Sequence, residues 1–428
     1  MQPWPIHLWI YRTLKAILFP VIFIIVAWRA FRGREDRDNF GERRGIASQP
    51  RPEGPLLWVH GASVGEVVST QPVLRALRKH RPGLNLLLTT GTTNGRKMLL
   101  KTAASLPGTG TTCVQYAPLD TMGATAAFIR YWQPTASVFT ESDFWPELLS
   151  RAPNPVLLNG RISDRSWPRY QRWAWFFRRL ISRFGLVLAQ RQTDADRLAA
   201  LGAKNVAISG NLKFDADPLP VDPTQLEKFT QALHGRPVLV GGSTHPGEEA
   251  MLAQLHAALK PTVPGLLTII VPRHPHRGTQ AANEVARYTK AIKRRGLGEM
   301  PVLGGNRHTD IYIADSLGEL GLWYRLASVA IIGGSLVKHG GHNPLESLKL
   351  GIPTFTGQYM YNFQDMLPTL TAAKLITIAP DVQALTRTLQ RLFTNPDELA
   401  AQQAHIATTM PTFTGPSDTA AERILSLL

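Results

Sequence analysis

Short apolar runs alternate with helical stretches along most of this chain, and that alternation limits the fold more than any other feature of the sequence. In the first half, the runs that predict strands are Leu56–His60, Asn85–Thr89, Ser137–Thr140, Val156–Asn159 and Leu186–Ala189. Helices are predicted among them at Val67–Lys79, Met122–Arg130, Tyr170–Ser182 and Asp194–Leu201. Strands that are apolar throughout and are connected through helices are typical of a parallel sheet covered on both faces. The sequence therefore predicts an α/β protein.

A proline-rich segment interrupts the alternation at residues 215–237 and indicates a domain boundary. Beyond it, strands are predicted at Val238–Gly241, Leu267–Val271, Ile311–Ala314, Val329–Ile332 and Thr354–Thr356, and helices at Glu248–Leu259, Leu320–Ala327, Pro344–Leu350 and Asp418–Leu428. We predict two Rossmann-like, doubly wound domains facing a cleft, residues 35–215 and 238–410, with a linker at 216–237. The segment 411–428 holds a helix that could pack back on the N-terminal domain. Ligands are expected at the carboxyl ends of the strands.

Composition narrows the class of partner. The chain has 47 Lys and Arg against 31 Asp and Glu, a net charge of +16, which suits an anionic membrane, an anionic small substrate or nucleic acid. It contains no zinc-finger spacing and no long Lys/Arg run, which argues against nucleic acid. Cys113 is the only cysteine, so a disulfide within the chain is excluded.

The first 34 residues predict a membrane anchor. Ala16 to Trp28 is apolar and uncharged, interrupted only by Pro20, and arginines follow it from Arg29 onward. Aromatic residues flank the run, as they do at membrane interfaces. We expect an uncleaved helix that crosses the bilayer once or lies in its interface, with the body of the protein on the cytoplasmic side. The alternative is a buried core helix.

The run from Val329 to Glu346 predicts an anion site. A short strand ends in glycines, and a helix is predicted to begin with Asn343 at the N-cap, Pro344 at N1 and Glu346 at N3. Bare backbone N–H groups and the positive end of the helix dipole would then face a ligand, most often a phosphate.

Three strand-to-helix turns share the spacing of a capping box, in which the glutamate at N3 binds the amide at its own N-cap. They are Ser63-x-x-Glu66, Ser316-x-x-Glu319 and Asn343-x-x-Glu346. Capping alone would explain each glutamate. The alternative is a catalytic or binding role, because a carboxylate at the carboxyl edge of a sheet can reach a sugar hydroxyl or remove a proton.

Other segments leave alternatives open. Gly61–Gly65 matches the G-x-S-x-G nucleophile elbow, so a serine hydrolase with Ser63 as nucleophile is one candidate function. Pro272–Arg277 carries two arginines that could clamp an oxyanion, or is a solvated basic loop; its two histidines favour a metal less. Lys213 either faces the predicted cleft or forms an ion pair with Asp215. The acidic residues from Glu141 onward either belong to a functional site or lie in a loop that only begins a helix.

Taken in order, these motifs resemble those of Kdo (3-deoxy-D-manno-octulosonic acid) transferases, the membrane-associated glycosyltransferases of lipopolysaccharide assembly. The resemblance covers nearly the whole chain. Its motifs are His60–Glu66, Glu141–Pro146, Asn159–Ser163, Leu212–Asp215, Ser243–Glu249, Val271–Pro275, Leu317–Glu319 and Gly333–Glu346.

The resemblance implies a GT-B fold, CMP-Kdo as donor, a lipid A precursor (lipid IVA) as acceptor, and the cytoplasmic side of the inner membrane, with no metal and no nucleic acid. It implies Glu66 as general base and Glu141 and Lys213 as support for the transition state of an inverting transfer. The CMP site would comprise Arg273, His274, Leu317, Gly318, Glu319, Asn343, Pro344, Leu345 and Glu346. Three positions depart from the family pattern: Asp143, Glu147 and Leu317.

Two further functions remain open from the sequence. One is a membrane-tethered, non-enzymatic nucleotide-binding protein that senses a phosphorylated lipid. The other is a GT-B enzyme that uses a UDP-sugar.

Overall fold

The computed structural model describes residues 11–13, 28, 36, 38–305 and 308–428. The chain separates into two compact units: one runs to Ala216 and includes Thr414–Leu428, and the other is Asp217–Phe413. The predicted anchor, residues 1–34, lies almost entirely outside the described residues. Within the described part of the chain, no helix is both long and apolar enough to cross a membrane.

The first unit contains, in its described residues, one sheet of seven parallel strands in the order β3-β2-β1-β4-β5-β6-β7. The strands are β1 Leu56–His60, β2 Asn85–Thr90, β3 Thr112–Tyr116, β4 Ala136–Thr140, β5 Pro155–Gly160, β6 Leu186–Ala189 and β7 Val206–Ile208. The five predicted strands are confirmed. Both missed strands, β3 and β7, lie at the sheet edges.

Helices cover both faces of this sheet. They are α1 Val64–His80, α2 Thr93–Ser105, α3 Met122–Trp132, α4 Pro146–Arg151, α5 Trp167–Arg172, α6 Ala174–Ile181 and α7 Gln192–Ala200. Strand side chains alternate between two cores: Leu57 and Val59 belong to one, and Leu56 and Trp58 to the other. A strand that is buried on both faces must be apolar at every position, which explains the uninterrupted runs in the sequence.

The second unit repeats this architecture with seven described strands in the order β10-β11-β9-β8-β12-β13-β14, again all parallel. They are β8 Val238–Thr244, β9 Leu267–Pro272, β10 Ile292–Arg294, β11 Ile311–Ile313, β12 Val329–Ile332, β13 Thr354–Thr356 and β14 Ile376–Ile378. The two strands that the sequence did not predict, β10 and β14, are again the edges.

The helices that follow residue 217 are α8 Pro223–Leu233, α9 Glu248–Leu259, α10 Gly278–Val285, α11 Leu320–Leu326, α12 Leu345–Leu348, α13 Leu367–Ala372, α14 Val382–Thr394, α15 Pro396–Thr409 and α16 Pro416–Leu425. Helix α8 lies inside the proline-rich segment, where no helix was predicted. Pro223 stands at N1, a position that needs no N–H, and the Asp222 side chain caps the helix. The predicted helix Tyr170–Ser182 is two helices, α5 and α6, separated at Trp173.

The C-terminal helix α16 packs against α1 in the first unit. The Asp215 carboxylate accepts hydrogen bonds from the backbone N–H groups of Gly415 (2.8 Å) and Ser417 (2.6 Å). Asp215 therefore anchors the start of α16, and Lys213 has a different acidic neighbour, described below.

Candidate functional site

Glu66 is held at the carboxyl edge of the first sheet by the cap of α1. The Ser63 hydroxyl donates to Glu66 Oε1 (2.8 Å), and the Ala62 N–H donates to Oε2 (2.8 Å). The Thr140 hydroxyl, at the end of β4, lies 3.0 Å from Oε2. One half of the predicted capping box is therefore present, since the Ser63 hydroxyl accepts the Glu66 N–H, but the Glu66 carboxylate binds the N–H of Ala62 and not that of the N-cap residue. The contact from β4 adds a tertiary restraint that a capping glutamate does not need.

The electrostatic surroundings make Glu66 a better base than an ordinary glutamate. Burial raises its pKa, and the negative charges of Asp143 and Glu141 raise it further, against the opposing hydrogen bonds from Ser63 and Ala62. A carboxylate whose pKa is raised holds an abstracted proton more firmly. Glu66 is therefore a stronger base than an exposed glutamate would be.

His60 and Asp143 form a pair next to Glu66. Asp143 Oδ2 lies 2.9 Å from His60 Nε2, and His60 Nδ1 lies 2.9 Å from the Thr89 hydroxyl. Since that hydroxyl accepts the Trp58 indole N–H (2.8 Å), its proton is available for Nδ1, which leaves the histidine proton on Nε2, the nitrogen nearer Asp143. Sequence reasoning assigned no role to either residue, because the pair joins the ends of two strands about eighty positions apart.

Glu141 and Lys213 are brought together, with Arg161 as a second cation. Lys213 Nζ lies 4.0 Å from Glu141 Oε1, and Arg161 Nη1 lies 3.7 Å from Oε2. All three side chains are partly exposed, and Glu141 has a left-handed backbone (φ 56°) immediately after β4. Both cations therefore lie within 4.0 Å of the same carboxylate, just beyond the end of β4. Arg161 was not singled out in the sequence.

Ser63 has the contacts of a capping residue. Its hydroxyl binds the side chain and the backbone N–H of Glu66, in the second case as acceptor at 3.3 Å. A serine nucleophile instead needs a histidine within hydrogen-bond reach as its base. The contact at Ser63 is with a carboxylate, so the geometry does not favour the serine hydrolase.

In the second unit, the glycine turn after β12 is closed by a buried carboxylate. Glu248 of α9 accepts hydrogen bonds from the N–H groups of His245 (2.9 Å), Gly334 (2.7 Å) and Leu336 (3.0 Å). The N–H of Gly341 binds the Gly334 carbonyl. The expectation of bare N–H groups along this turn is therefore wrong at these positions, because a glutamate from another helix occupies the place of an external anion.

The start of α12 differs by one residue from the prediction. The helix begins at Leu345 after Pro344, and the Asn343 side chain accepts the Leu345 N–H (3.1 Å). Burial raises the pKa of Glu346 to about 7, while the positive charge of Arg273 and a hydrogen bond from Asn343 oppose that rise. Arg273, Asn343 and Glu346 are thus neighbours, although seventy positions separate the first two.

Histidines lie next to this group. His245 Nε2 and His342 Nε2 are 2.8 Å apart, and the rings of His245 and His339 have centroids 3.6 Å apart. Burial, with positively charged or titratable neighbours, lowers the pKa of both His245 and His342 to about 4, so both are neutral at pH 7. Within the described residues, no three His, Cys, Asp or Glu side chains are placed to hold a metal ion together.

The Leu317–Glu319 turn is exposed at its tip and anchored at its end. Leu317 is 85% exposed, and Gly318 has a left-handed φ of 82°. Glu319 binds Arg295 (Nη2 to Oε1, 2.6 Å) and the Ser316 hydroxyl, and hydrogen bonding from Arg295 lowers its pKa. The predicted capping box at Ser316 is wrong, because the N-cap of α11 is Glu319 itself. The sequence singled out Glu319 but not its partner Arg295.

Comparisons with known proteins show the family to which the chain belongs. A family model described as 3-deoxy-D-manno-octulosonic-acid transferase (kdotransferase) matches residues 38–216. The chain is 32% identical over 396 residues to the 3-deoxy-D-manno-octulosonic acid transferase of Haemophilus influenzae, covering 89% of this chain and 90% of that protein. It is also 32% identical over 386 residues to the enzyme of the same name from Bordetella pertussis, covering 88% and 89%.

A solved structure of a glycosyltransferase from Rickettsia africae has a TM-score of 0.55 at 12% identity, covering 88% of this chain and 98% of that one. At this identity the likeness supports the fold alone, a GT-B-like pair of parallel α/β sheets. The relatives, which align over nearly their whole length, establish the rest: this chain belongs to the family of 3-deoxy-D-manno-octulosonic acid transferases, which are glycosyltransferases.

Proposed function

We propose that this chain transfers Kdo from CMP-Kdo to lipid IVA, a lipid A precursor, in lipopolysaccharide biosynthesis, by an inverting displacement with Glu66 as general base. The observation that carries the mechanism is the Glu66 carboxylate at the edge of the sheet, with a pKa raised by burial and by Asp143. The relatives support the sugar that is transferred. The nucleotide and the acceptor follow from the resemblance of the motifs.

In this mechanism, Glu66 takes the proton of an acceptor hydroxyl as its oxygen attacks the anomeric carbon of Kdo. The bond from that carbon to the phosphate oxygen of CMP breaks, and CMP leaves from the opposite face with the electron pair. A single displacement of this kind inverts the anomeric centre. General-base assistance typically contributes a rate factor of about 10²–10⁴.

The charges of the first unit suit the transition state. Lys213 and Arg161 both lie within 4.0 Å of the Glu141 carboxylate, near the edge of the sheet. Positive charge here would stabilise the anionic groups of the sugar and the developing charge on the leaving phosphate. We propose Glu141 and Lys213 as the residues that support the transition state.

The charged residues of the second unit suit the binding of a nucleoside monophosphate. Arg273 supplies a guanidinium beside Glu346 and Asn343, and we propose that it binds the phosphate of CMP, with His274 next to it in the chain. Glu346 or Glu319 would accept hydrogen bonds from the ribose hydroxyls. The turns that carry them, Leu317–Glu319 and Asn343–Glu346, complete the proposed CMP site, and the proposal uses no metal.

We propose that the protein acts on the cytoplasmic side of the inner membrane, because its acceptor is a lipid and because the predicted anchor within residues 1–34 is followed by arginines. Net charge of +16 would attract the phosphates of such an acceptor.

The test is direct. Purified protein is incubated with CMP-Kdo and tetra-acylated lipid A precursor, and the lipid product is weighed by mass spectrometry. A mass increase by Kdo supports the proposal, and lipid binding without consumption of CMP-Kdo would support a non-enzymatic sensor instead. Competition by CMP against UDP distinguishes the UDP-sugar enzyme, since only the proposed site should prefer CMP.

A further inference from the structure

Four histidines meet at the carboxyl edge of the second sheet, and three of them have no role in the mechanism above. His245 follows β8, His274 follows β9, and His339 and His342 lie in the glycine turn after β12. His245 is 7% exposed and joins the four: its ring centroid is 3.6 Å from that of His339, 5.0 Å from that of His342 and 6.5 Å from that of His274. We call these four residues the histidine cluster, because they form one group of neighbouring titratable rings.

Two members of the cluster, His245 and His342, are joined by a hydrogen bond between their rings. The two Nε2 atoms are 2.8 Å apart, and the ring planes differ by 3°. Since the ring centroids are 5.0 Å apart, the rings meet edge to edge through these nitrogens and not face to face. Such a bond needs one proton between the two nitrogens, because one must donate and the other accept. It is therefore present when the pair is neutral or carries one added proton, and it is lost when both rings are protonated.

The surroundings of this pair oppose an added proton. The groups that act on it electrostatically are cationic or titratable: Arg273, Arg277, His274 and His339. Burial is the largest cause, and with these neighbours it lowers the pKa of both His245 and His342 to about 4. In these surroundings the pair is neutral at pH 7.

The carboxylates on the neighbouring elements are engaged elsewhere. Glu248 accepts three backbone N–H groups, one of them from His245, and Glu249 binds Arg277 (Oε1 to Nη1, 2.8 Å). Glu346 lies beside Arg273. In the part of the chain that the structure describes, no carboxylate forms an ion pair with His245 or His342. The counter-charge for an added proton on the pair must therefore come from a bound anion.

Arg273 offers a place for such an anion. Arg273 and His274 are exposed just beyond β9, and the charge of Arg273 already acts on His342. A phosphate bound by this guanidinium would bring negative charge next to the pair, and a nearby negative charge favours the protonated form of an imidazole. The added proton would also strengthen the bond between the two Nε2 atoms, because a hydrogen bond from a charged donor is stronger than one from a neutral donor.

We propose that His245 and His342 act as one proton-uptake pair, which accepts a single proton into its Nε2–Nε2 hydrogen bond when the phosphate of a cytidine nucleotide binds at Arg273. This inference rests on the proposed CMP site and adds two residues and one proton to it. In the proposed transfer, CMP gains a second negative charge when its bond to the anomeric carbon breaks. The positive charge of the pair would offset that charge beside the leaving phosphate.

The first test measures how nucleotide affinity depends on pH. The probe is cytidine 5′-methylphosphate, a phosphodiester whose single charge is constant between about pH 5.5 and about pH 7.5, so that any proton taken up on binding belongs to the protein. Calorimetry of the full chain should show about fivefold tighter binding at the lower pH, with protons taken up from the buffer. Cytidine, which has the same base and no phosphate, should show neither effect.

Variants assign the proton to the pair. H245Q, H342Q and the double variant should each lose most of the increase, and all to the same extent, because a shared proton needs both nitrogens and the two residues are therefore not additive. Glu346 also titrates in this range, but it is present in the parent and in every variant. The matched control is H405Q, which removes an exposed histidine on α15 of the same unit and should behave as the parent does. Thermal unfolding of each variant at both pH values excludes loss of the fold as the cause.

Nitrogen NMR of the parent protein with labelled histidine supplies a second measurement that needs no folded variant of the pair. At about pH 6, addition of the probe should move the ring signals of His245 and His342 toward the imidazolium position. Unmoved ring signals overturn the proposal, as does the full increase in affinity persisting in the double variant. Binding of the probe without proton uptake overturns this inference alone, whereas no binding of the probe at all overturns the proposed CMP site and this inference with it.

Discussion

His60 Nε2 lies 2.9 Å from Asp143 Oδ2, and this pair stands next to the carboxylate of Glu66. The histidine thus contacts Asp143, and the charge of Asp143 raises the pKa of Glu66. Burial is the largest cause of the raised pKa of Glu66, and Asp143, which the sequence marked only as a departure from the family pattern, raises that pKa further.

The proposed general base is the first residue to test. E66Q removes the basic group while keeping the size of the side chain, so the rate of Kdo transfer should fall by about 10²–10⁴. Binding of CMP, measured by calorimetry, should be unchanged, because the proposed CMP site is in the other unit. S63A is the matched control: it loses a cap and should remain active, at a cost of about 1 kcal/mol in stability. An active E66Q protein would remove Glu66 from the mechanism.

Asp143 should control the pH dependence of the reaction. Its negative charge raises the pKa of Glu66, so D143N should lower that pKa and move the acidic limb of the pH–rate profile to lower pH. The plateau rate should fall at the same time, because a less basic carboxylate is a weaker proton acceptor. D164N, at an exposed aspartate of the same unit, is the control. An unchanged acidic limb in D143N would contradict this account of Glu66.

Glu248 should matter for stability. Its side chain accepts three backbone N–H groups in a buried place, and an unsatisfied buried donor costs about 1–3 kcal/mol. E248A should therefore lower the free energy of unfolding by about 2–5 kcal/mol, measured by urea denaturation. The exposed Glu227 offers the comparison, since E227A on α8 should change it by less than about 0.5 kcal/mol. Equal midpoints for the two variants would show that Glu248 does not hold the turn.

Glu346 should make stability fall as pH rises. Its folded pKa of about 7 exceeds its ordinary value of 4.5, so the folded protein binds a proton that the unfolded chain has released between these two pH values. Stability is then lost as pH rises from about 4.5 to about 7, and E346Q should remove that loss. The loss is measured from the urea concentrations at the midpoint of unfolding, for the parent protein and for E346Q, at several pH values between about 4.5 and about 7.

The opposite slope is expected at Glu319. Arg295 lowers its folded pKa, so the stabilisation is present above the ordinary pKa of the carboxyl group and is lost as pH falls through the folded value. In a plot of folding stability against pH, E319Q should therefore reduce the loss of stability on the acidic side. If E346Q and E319Q changed the pH dependence of stability in the same direction, the environment assigned to one of the two glutamates would be wrong.

Much of the fold was predictable because buried parallel strands must be apolar along their whole length. All the strands predicted in the first unit, from Leu56–His60 to Leu186–Ala189, are present. The missed strands β3, β7, β10 and β14 are the edges of the two sheets. Their pattern is weaker, since an edge strand has one neighbour and tolerates polar and exposed residues, as in Val206–Ile208 and Ile292–Arg294.

The residues of the candidate site also divide into those that sequence spacing indicated and those that only the structure revealed. Local spacing singled out Glu66, Glu319 and Asn343, because capping and turn chemistry act over three or four residues. It did not find Glu248, whose partner Gly334 is 86 positions away, or Arg295, which binds Glu319 from a different strand end.

By itself, the sequence determined the two α/β units, the positions of the inner strands and the turns at which polar side chains meet the sheet edges, because these depend on burial patterns and local backbone chemistry. The tertiary structure alone decided which charges face one another: Asp143 with His60 and Glu66, Lys213 with Glu141, and Glu248 with the glycine turn. Electrostatic interaction depends on distance in space, and distance along the chain does not determine it.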